Sequence, residues 1–263
     1  MRLATWNINS IRARLDRAVA FLERTGVDVL ALQETKVKDE AFPRAPFEAL
    51  GYEVATHGHS QWNGVAIVSR VGLADVERGF PGQPTWGDPA VAEARALGAT
   101  CGGVRVWSLY VPNGREIDDP HYTYKLDWLA ALRDAAQGWL ADPAAQVALV
   151  GDWNIAPLDT DVWDVARFAG RTHVTPAERD AFEAIARAGY TEVSRTHLPA
   201  EHTYTYWDYQ QLRFPRNEGM RIDLTYASPA LAARVTGVRI ERDERKGKQP
   251  SDHVPVVLEI DAP

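Results

Sequence analysis

The sequence is poor in thiols: Cys101 is its one cysteine in 263 residues. That excludes an intrachain disulfide, a CxxC redox pair and any cysteine-built zinc site, and it fits a reducing compartment. Long apolar runs are also missing. No stretch approaches the roughly 20 residues of a membrane span, and the segment from Met1 to Asn7 lacks signal-peptide anatomy. A cytoplasmic protein without membrane contact is the expectation. Positive charge is in deficit, with 29 Lys and Arg against 36 Asp and Glu and a formal net charge of −7. Bulk attraction to nucleic acid is thereby excluded, and any such binding needs a local basic patch. The chain has no GxxxxGK[ST], GxGxxG, HExxH or GxSxG segment, the usual markers of nucleotide-triphosphate, dinucleotide, zinc-protease and esterase-elbow chemistry.

What is present is an alternation of strand-like and helix-like pattern. Leu3 to Ile8 reads as a buried strand, and Ile11, Leu15, Val19 and Leu22 mark one apolar helical face closed by Gly26. Val27 to Leu32 is a short continuous apolar run, as in a strand covered on both faces. Leu126, Leu129, Leu132, Ala136 and Leu140 predict a second helix, and Val147 to Val150 the strand after it. Pro176–Ala188 predicts a third helix with Thr175 as N-cap, Pro at N1 and Glu178 in the first turn. Shorter runs at Val65–Val68, Val104–Tyr110, Ile222–Ala227, Val235–Ile240 and Val254–Ile260 read as strands. No linker-like stretch divides the chain, so one α/β domain over residues 1–263 is expected. Trp-Asn-Ile occurs twice, at Trp6-Asn7-Ile8 and Trp153-Asn154-Ile155.

Polar residues gather at the strand ends. Asn7 and Asn9 follow the first strand, and Gln33-Glu34 the second. Tyr110 precedes Pro112-Asn113-Gly114, and Asp152 and Asn154 follow Val150. Asp223 lies among apolar residues, and Asp252-His253 precedes the last strand. Strand ends are rigid and open onto loops, which suits catalytic side chains. Carboxylates and amides are hard oxygen donors suited to Mg²⁺ or Mn²⁺ rather than zinc. An aspartate inside a strand needs a cation or donor, and His253 is a candidate partner for Asp223.

The segments TWNINSIRAR, ALQETK, SLYVPNG, VGDWNIAP, MRIDL and PSDHVPV, in that order over residues 2 to 257, resemble the exonuclease III family of DNA repair nucleases. That family belongs to the endonuclease/exonuclease/phosphatase superfamily. The resemblance implies a DNase I-like, four-layered α/β sandwich, two mixed sheets face to face with helices outside. Because the family's sheets are related by an approximate dyad, the Trp-Asn-Ile echo fits that fold. The implied activity is Mg²⁺-dependent cleavage 5′ to an abasic site in duplex DNA, leaving a 3′-hydroxyl, with 3′-end cleaning and 3′→5′ exonuclease action. Mn²⁺ is expected to substitute, and the protein is expected to act as a monomer.

Carried onto this chain, the resemblance makes Glu34 the principal metal ligand, with Asn9 and Asp252 contributing. Asp152 becomes the residue that orients or deprotonates water, steadied by Asn7 and Asn154. His253 and Asp223 become the phosphate-binding imidazolium and its partner, and Tyr110 the phosphate-side tyrosine. Lys36 and Asn113 are placed as DNA contacts, and the THVTPAER segment resembles the family's DNA-contacting loop. Tyr206, Trp207, Met220 and Ile222 resemble the walls of the abasic pocket, with Met220 where many relatives carry a large aromatic. Arg213, Arg216, Asn217 and Arg221, with Arg242, Arg245, Lys246 and Lys248, are expected to form the basic face that offsets the acidic net charge. Two other functions compete: a small-molecule phosphoesterase of the inositol-phosphate phosphatase type, and a DNA-binding relative without catalysis.

Overall fold

The structure, a computed structural model, describes residues 1–262. Twelve strands form two six-stranded mixed sheets. The chain runs β1 (Arg2–Asn7), α1 (Ile11–Thr25), β2 (Val29–Gln33), α2 (Ala45–Ala49), β3 (Glu53–His57), β4 (Val65–Ser69), β5 (Ala74–Arg78) and β6 (Ala96–Cys101). It continues through β7 (Val104–Tyr110), α3 (Pro120–Trp139), β8 (Val147–Asp152), α4 (Pro176–Arg187), β9 (Thr191–Glu192) and α5 (Val193–His197). Last come β10 (Asp223–Ala227), α6 (Pro229–Ala232), β11 (Val235–Ile240) and β12 (Val256–Ile260). One sheet has the order β11-β12-β1-β2-β4-β3 and the other β5-β6-β7-β8-β10-β9. No helix among the described residues is long and apolar enough to cross a membrane.

The four expected layers are present. Leu3, Val29, Ile67, Val106, Val150 and Leu258 belong to the core between the sheets. α1 covers the outer face of the first sheet through Phe21 and Leu22. α3 and α4 cover the second through Trp128, Leu129, Leu132, Phe182 and Ile185. The caps follow the sequence signals. Gly26 takes φ 58° and returns its N–H to Leu22, a left-handed conformation that glycine adopts without a Cβ penalty. Thr175 and Glu178 form a reciprocal capping box on α4, satisfying two otherwise orphaned N–H groups.

Three sequence readings need correction. α3 begins at Pro120, capped by Asp119, rather than near Leu126. Its buried side carries His121, Tyr124, Lys125, Trp128 and Leu129, so the inward face includes a lysine. β3, β5 and β6 were absent from the sequence reading: β5 is exposed along its length, and β6 (ALGATC) contains few strong strand formers. The Trp-Asn-Ile echo is not the imprint of the dyad. The helix-linked parallel pairs are β1-α1-β2 and β7-α3-β8. By chain order the counterpart of β1 is therefore β7, not the β8 that leads into Trp153.

Candidate active site

Register assembles the site. In the second sheet Tyr110 pairs with Asp152 across β7 and β8, and Asp152 pairs with Asp223 across β8 and β10. Three polar residues thus stand in a row at one sheet end. Gly151 permits that row: a Cβ there would meet the Leu109 carbonyl oxygen at 1.9 Å. In the first sheet Asn7 pairs with Gln33 at the ends of β1 and β2, and Glu34 is the next residue. Past their ends these strands stay tied, Ser10 N to Glu34 O at 2.7 Å and Ile11 N to Thr35 O at 3.1 Å. Asn9, Glu34, Lys36 and Asn154 all take φ between 44° and 54°. Such left-handed, non-glycine conformations cost on the order of 1–2 kcal/mol each and cluster at functional sites.

The two sheets meet at Asn7. Its Nδ2 donates to Glu34 Oε1 at 2.8 Å and to Asp152 Oδ2 at 2.9 Å, so one amide ties two like charges together. Asp152 Oδ1 accepts the Asn154 N–H at 2.9 Å. Burial raises the Asp152 pKa to about 7; His253 opposes that rise, whereas Asp223 and Glu34 add to it. His253 donates through Nδ1 to Asp223 Oδ2 at 2.8 Å, and its Nε2 lies 3.8 Å from Asp152 Oδ2. Burial alone would lower the imidazole pKa, but the charges of Asp223 and Asp152 carry it up to about 10. His253 is therefore an imidazolium at neutral pH. It can donate to an anion but has no lone pair for a metal.

Glu34, Asp152 and His253 place candidate ligand atoms within 4.8 Å of one another. With His253 protonated, the cation-binding oxygens are those of the carboxylates. Burial would raise the Glu34 pKa, but the Lys36 ammonium and the Asn7 amide more than offset it, leaving the pKa below its usual value. Lys36 Nζ lies 2.8 Å from Glu34 Oε2 and 2.6 Å from Asn9 Oδ1, a positive group bridging two oxygens assigned to metal from sequence. Asn9 in turn donates to Asp252 Oδ1 at 2.9 Å. This all-oxygen donor set fits a hard divalent cation. Tyr110 lies beside Glu34; burial, then the Glu34 charge, raises its phenol well above the usual range.

Several expected residues lie elsewhere. Arg221 is 1% exposed; its guanidinium faces Leu198 O at 3.2 Å and Glu192 at 3.9 Å, so it cannot be a DNA contact. Trp207 is fully buried with Tyr204 and Val254, and its backbone N–H donates to Asp252 O at 2.9 Å; it is no pocket wall. Ile222 lies buried behind Met220. Arg245 is buried beneath Tyr209 and Phe214, which removes it from the basic face. Tyr206, its ring 4.9 Å from His253, and Met220 line a cleft of about 570 Å³ with Trp163, Phe168, Arg171 and Arg213. Arg216, Asn217 and Asn113 are exposed, and Asn113 donates to Asn154 Oδ1 at 3.1 Å.

Sequence reasoning overlooked the residues that brace the site. Thr205 Oγ1 accepts the N–H groups of Ile222 and Asp223 at 3.2 and 3.1 Å. Ser251 Oγ donates to Asn7 O at 2.7 Å and accepts His253 N at 3.2 Å. Arg95, 5% exposed, packs its guanidinium 4.8 Å from the Tyr110 ring centroid. Lys125 was legible in principle as a lysine at the buried spacing of Tyr124, Trp128 and Leu129.

Comparison with known proteins agrees with this geometry. Residues 4–253 match the endonuclease/exonuclease/phosphatase family. Exodeoxyribonuclease III of Haemophilus influenzae is 32% identical over 99% of this chain and all of its own length. Two solved structures align over the full length of both chains. One is a 3′-5′ exonuclease of Neisseria meningitidis, at 36% identity and TM-score 0.94. The other is an AP endonuclease of Archaeoglobus fulgidus, at 34% identity and TM-score 0.92. A second structure of the same Neisseria protein, described there as a 3′ phosphatase bound to a product DNA hairpin, also aligns at TM-score 0.94. On family match, full-length identity and fold together, this chain belongs to the endonuclease/exonuclease/phosphatase family, in its exonuclease III and AP endonuclease branch.

Proposed function

We propose that the protein is a divalent-metal-dependent phosphoesterase acting on 3′ ends of duplex DNA, removing 3′-phosphates and 3′-nucleotides to leave a 3′-hydroxyl. The observation that carries this reading is the fixed pairing of a carboxylate and an imidazolium. Asp152, oriented by Asn7 and Asn154, stands 3.8 Å from His253 Nε2. Full-length relatedness to one Neisseria protein, described as a 3′-5′ exonuclease in one structure and as a 3′ phosphatase in another, suggests the substrate class. Abasic-site incision is the second reading, favoured by the apolar wall of Tyr206 and Met220 beside His253. The same cleft is otherwise lined mainly by polar residues, Arg167, Arg171, Asp208, Gln211, Arg213 and Glu218, and its apolar edge is where a sugar without its base would rest.

Glu34, with Asn9 and Asp252, would hold Mg²⁺, and Mn²⁺ in its place. The ion would supply charge for the phosphoryl oxygens as the ester breaks. Asp152 accepts the proton of the attacking water. His253, held by Asp223, donates Nε2–H to a phosphate oxygen and offsets the charge that develops there. Tyr110, protonated beside Glu34, donates a second hydrogen bond on the same side. Arg216, Asn217, Arg242 and Asn113 contact backbone phosphates, and the protein acts as a monomer.

Three duplexes test this directly: one with a 3′-phosphate, one with a recessed 3′-hydroxyl end, and one with an internal abasic analogue. Each is incubated with Mg²⁺ or chelator, beside an inositol phosphate. Phosphate release from the first and nucleotide release from the second, with chelator abolishing both, is expected. Turnover of the inositol phosphate alone would favour the small-molecule phosphoesterase; no turnover of any substrate would leave the non-catalytic DNA-binding relative.

A further inference from the structure

Lys125 is the one lysine among the described residues whose side chain is fully buried, and the chemistry above does not use it. It projects inward from α3. Its ammonium lies 2.5 Å from Glu178 Oε1, 2.7 Å from Asn154 O, 3.2 Å from Asn113 O and 3.4 Å from Thr172 Oγ1. Burial disfavours its charge, and Glu178 opposes that effect. A buried ion pair is poor evidence for stability, because apolar residues of similar volume often serve as well.

Three of the acceptors lie on loops that frame the site, Asn113 after β7, Asn154 after β8 and Thr172 before α4, and the fourth, Glu178, lies in the first turn of α4. The Asn154 backbone, through the two peptide groups on either side of its Cα, is the link to Asp152. Its N–H holds Asp152 Oδ1, while its carbonyl receives Lys125 and, at 2.6 Å, His173 Nδ1. Asn154 sits at φ 51°, so its carbonyl needs fixed partners to keep the turn. Glu178 Oε1 also receives the His173 N–H at 2.9 Å and the Thr172 hydroxyl at 2.6 Å, tying the third loop to the same ammonium.

We infer that Lys125 is a positioning residue that sets the aim of Asp152 by clamping the Asn154 and Asn113 carbonyls from beneath the site. This rests on the reading of Asp152 as the group that accepts the water proton. The inference separates kcat from KM. The clamp acts on the orientation of the base; of the proposed phosphate contacts, Arg216, Asn217 and Arg242 lie on other segments, and Asn113 alone lies on a clamped loop.

Two variants test it in the full chain with Mg²⁺: Lys125→Arg, which keeps the charge with a different donor geometry, and Lys125→Met with Glu178→Gln, which removes both charges together. Each is compared with the parent by thermal melting, steady-state cleavage of the 3′-phosphate duplex, and amide hydrogen exchange at Asn154 without DNA. The expected result is a folded protein with kcat lowered roughly 10–100-fold, KM within about threefold, and Asn154 exchange faster by at least about tenfold. A folded variant with parental kcat, or with parental exchange at Asn154, overturns the inference. So does failure of both variants to fold, which makes Lys125 a core ion pair alone. If the parent leaves DNA uncut, the functional reading fails, and exchange at Asn154 still decides the clamp.

Discussion

Asp152 and Asp223 face each other across β8 and β10, and His253 is hydrogen-bonded to one and 3.8 Å from the other. Like charges in register are destabilising; here an imidazolium lies between them. Asp223 raises the His253 pKa, so Asp223→Asn must lower it. The parent imidazolium persists until about pH 10. In the variant, the alkaline fall of kcat is expected to move at least about one unit towards neutrality. A pH–rate profile of both proteins checks this; coincident alkaline limbs would contradict it.

Under the proposed assignment of Glu34 as the metal ligand, Lys36 and the cation compete for its carboxylate. Lys36→Met removes a positive charge 2.8 Å from Glu34 Oε2 and is expected to lower the Mg²⁺ concentration at half-maximal rate by about threefold or more. Glu34→Gln is expected to raise it at least about tenfold. Mg²⁺ titration of the cleavage rate reads both.

The β-strand cores and helix caps were legible because burial and capping leave local marks: Gly26, Thr175 and the apolar run before Asp152 each announce their element. The candidate site was legible as polar residues at successive strand ends, as at Asp223, and the role proposed for each came from the family resemblance. What stayed hidden depends on tertiary direction. Trp207 and Arg221 lie one residue from Tyr206 and Met220, and the alternation of facing side chains turns them inward. Lys125 and Thr205 act on backbone groups of distant loops, which no local pattern encodes.

Arg221 and Arg216 are expected to separate structure from DNA contact. Arg221→Met is expected to cost about 1–3 kcal/mol, because it removes the buried donor to Leu198 O while Glu192 keeps the N–H groups of Ser194 and Arg195, and to leave the salt dependence of DNA binding unchanged. Arg216→Ala is expected to leave thermal stability unchanged and reduce the slope of log K against log salt by about 1. Thermal melting and binding at several salt concentrations distinguish the two.

Acid stability carries a sign of its own. Burial lowers His121 and His173 from 6.5 to about 4. Between those pH values the unfolded chain binds protons that these two rings refuse in the folded chain, so their contribution to stability falls as pH drops from about 6.5 to about 4 and levels off below, while Asp152, raised to about 7, works in the opposite direction over the same range. The full shift corresponds to about 3 kcal/mol per ring. His121 Nδ1 accepts the Gly114 N–H at 3.3 Å, so protonation there would also cost a hydrogen bond. His121→Gln, which cannot be protonated, is expected to flatten the fall, as read by urea unfolding from pH 7 to pH 4.

The decisive measurement is single-turnover cleavage of the 3′-phosphate duplex by the parent and by Asp152→Asn, each with Mg²⁺ and with chelator. The parent should release phosphate only with the metal, and Asp152→Asn, folded and still binding DNA, should be slower by roughly 10³-fold or more. Release by Asp152→Asn at a near-parental rate, or by the parent in chelator, would contradict the assignment of the paired sheet ends as a metal-assisted hydrolytic centre.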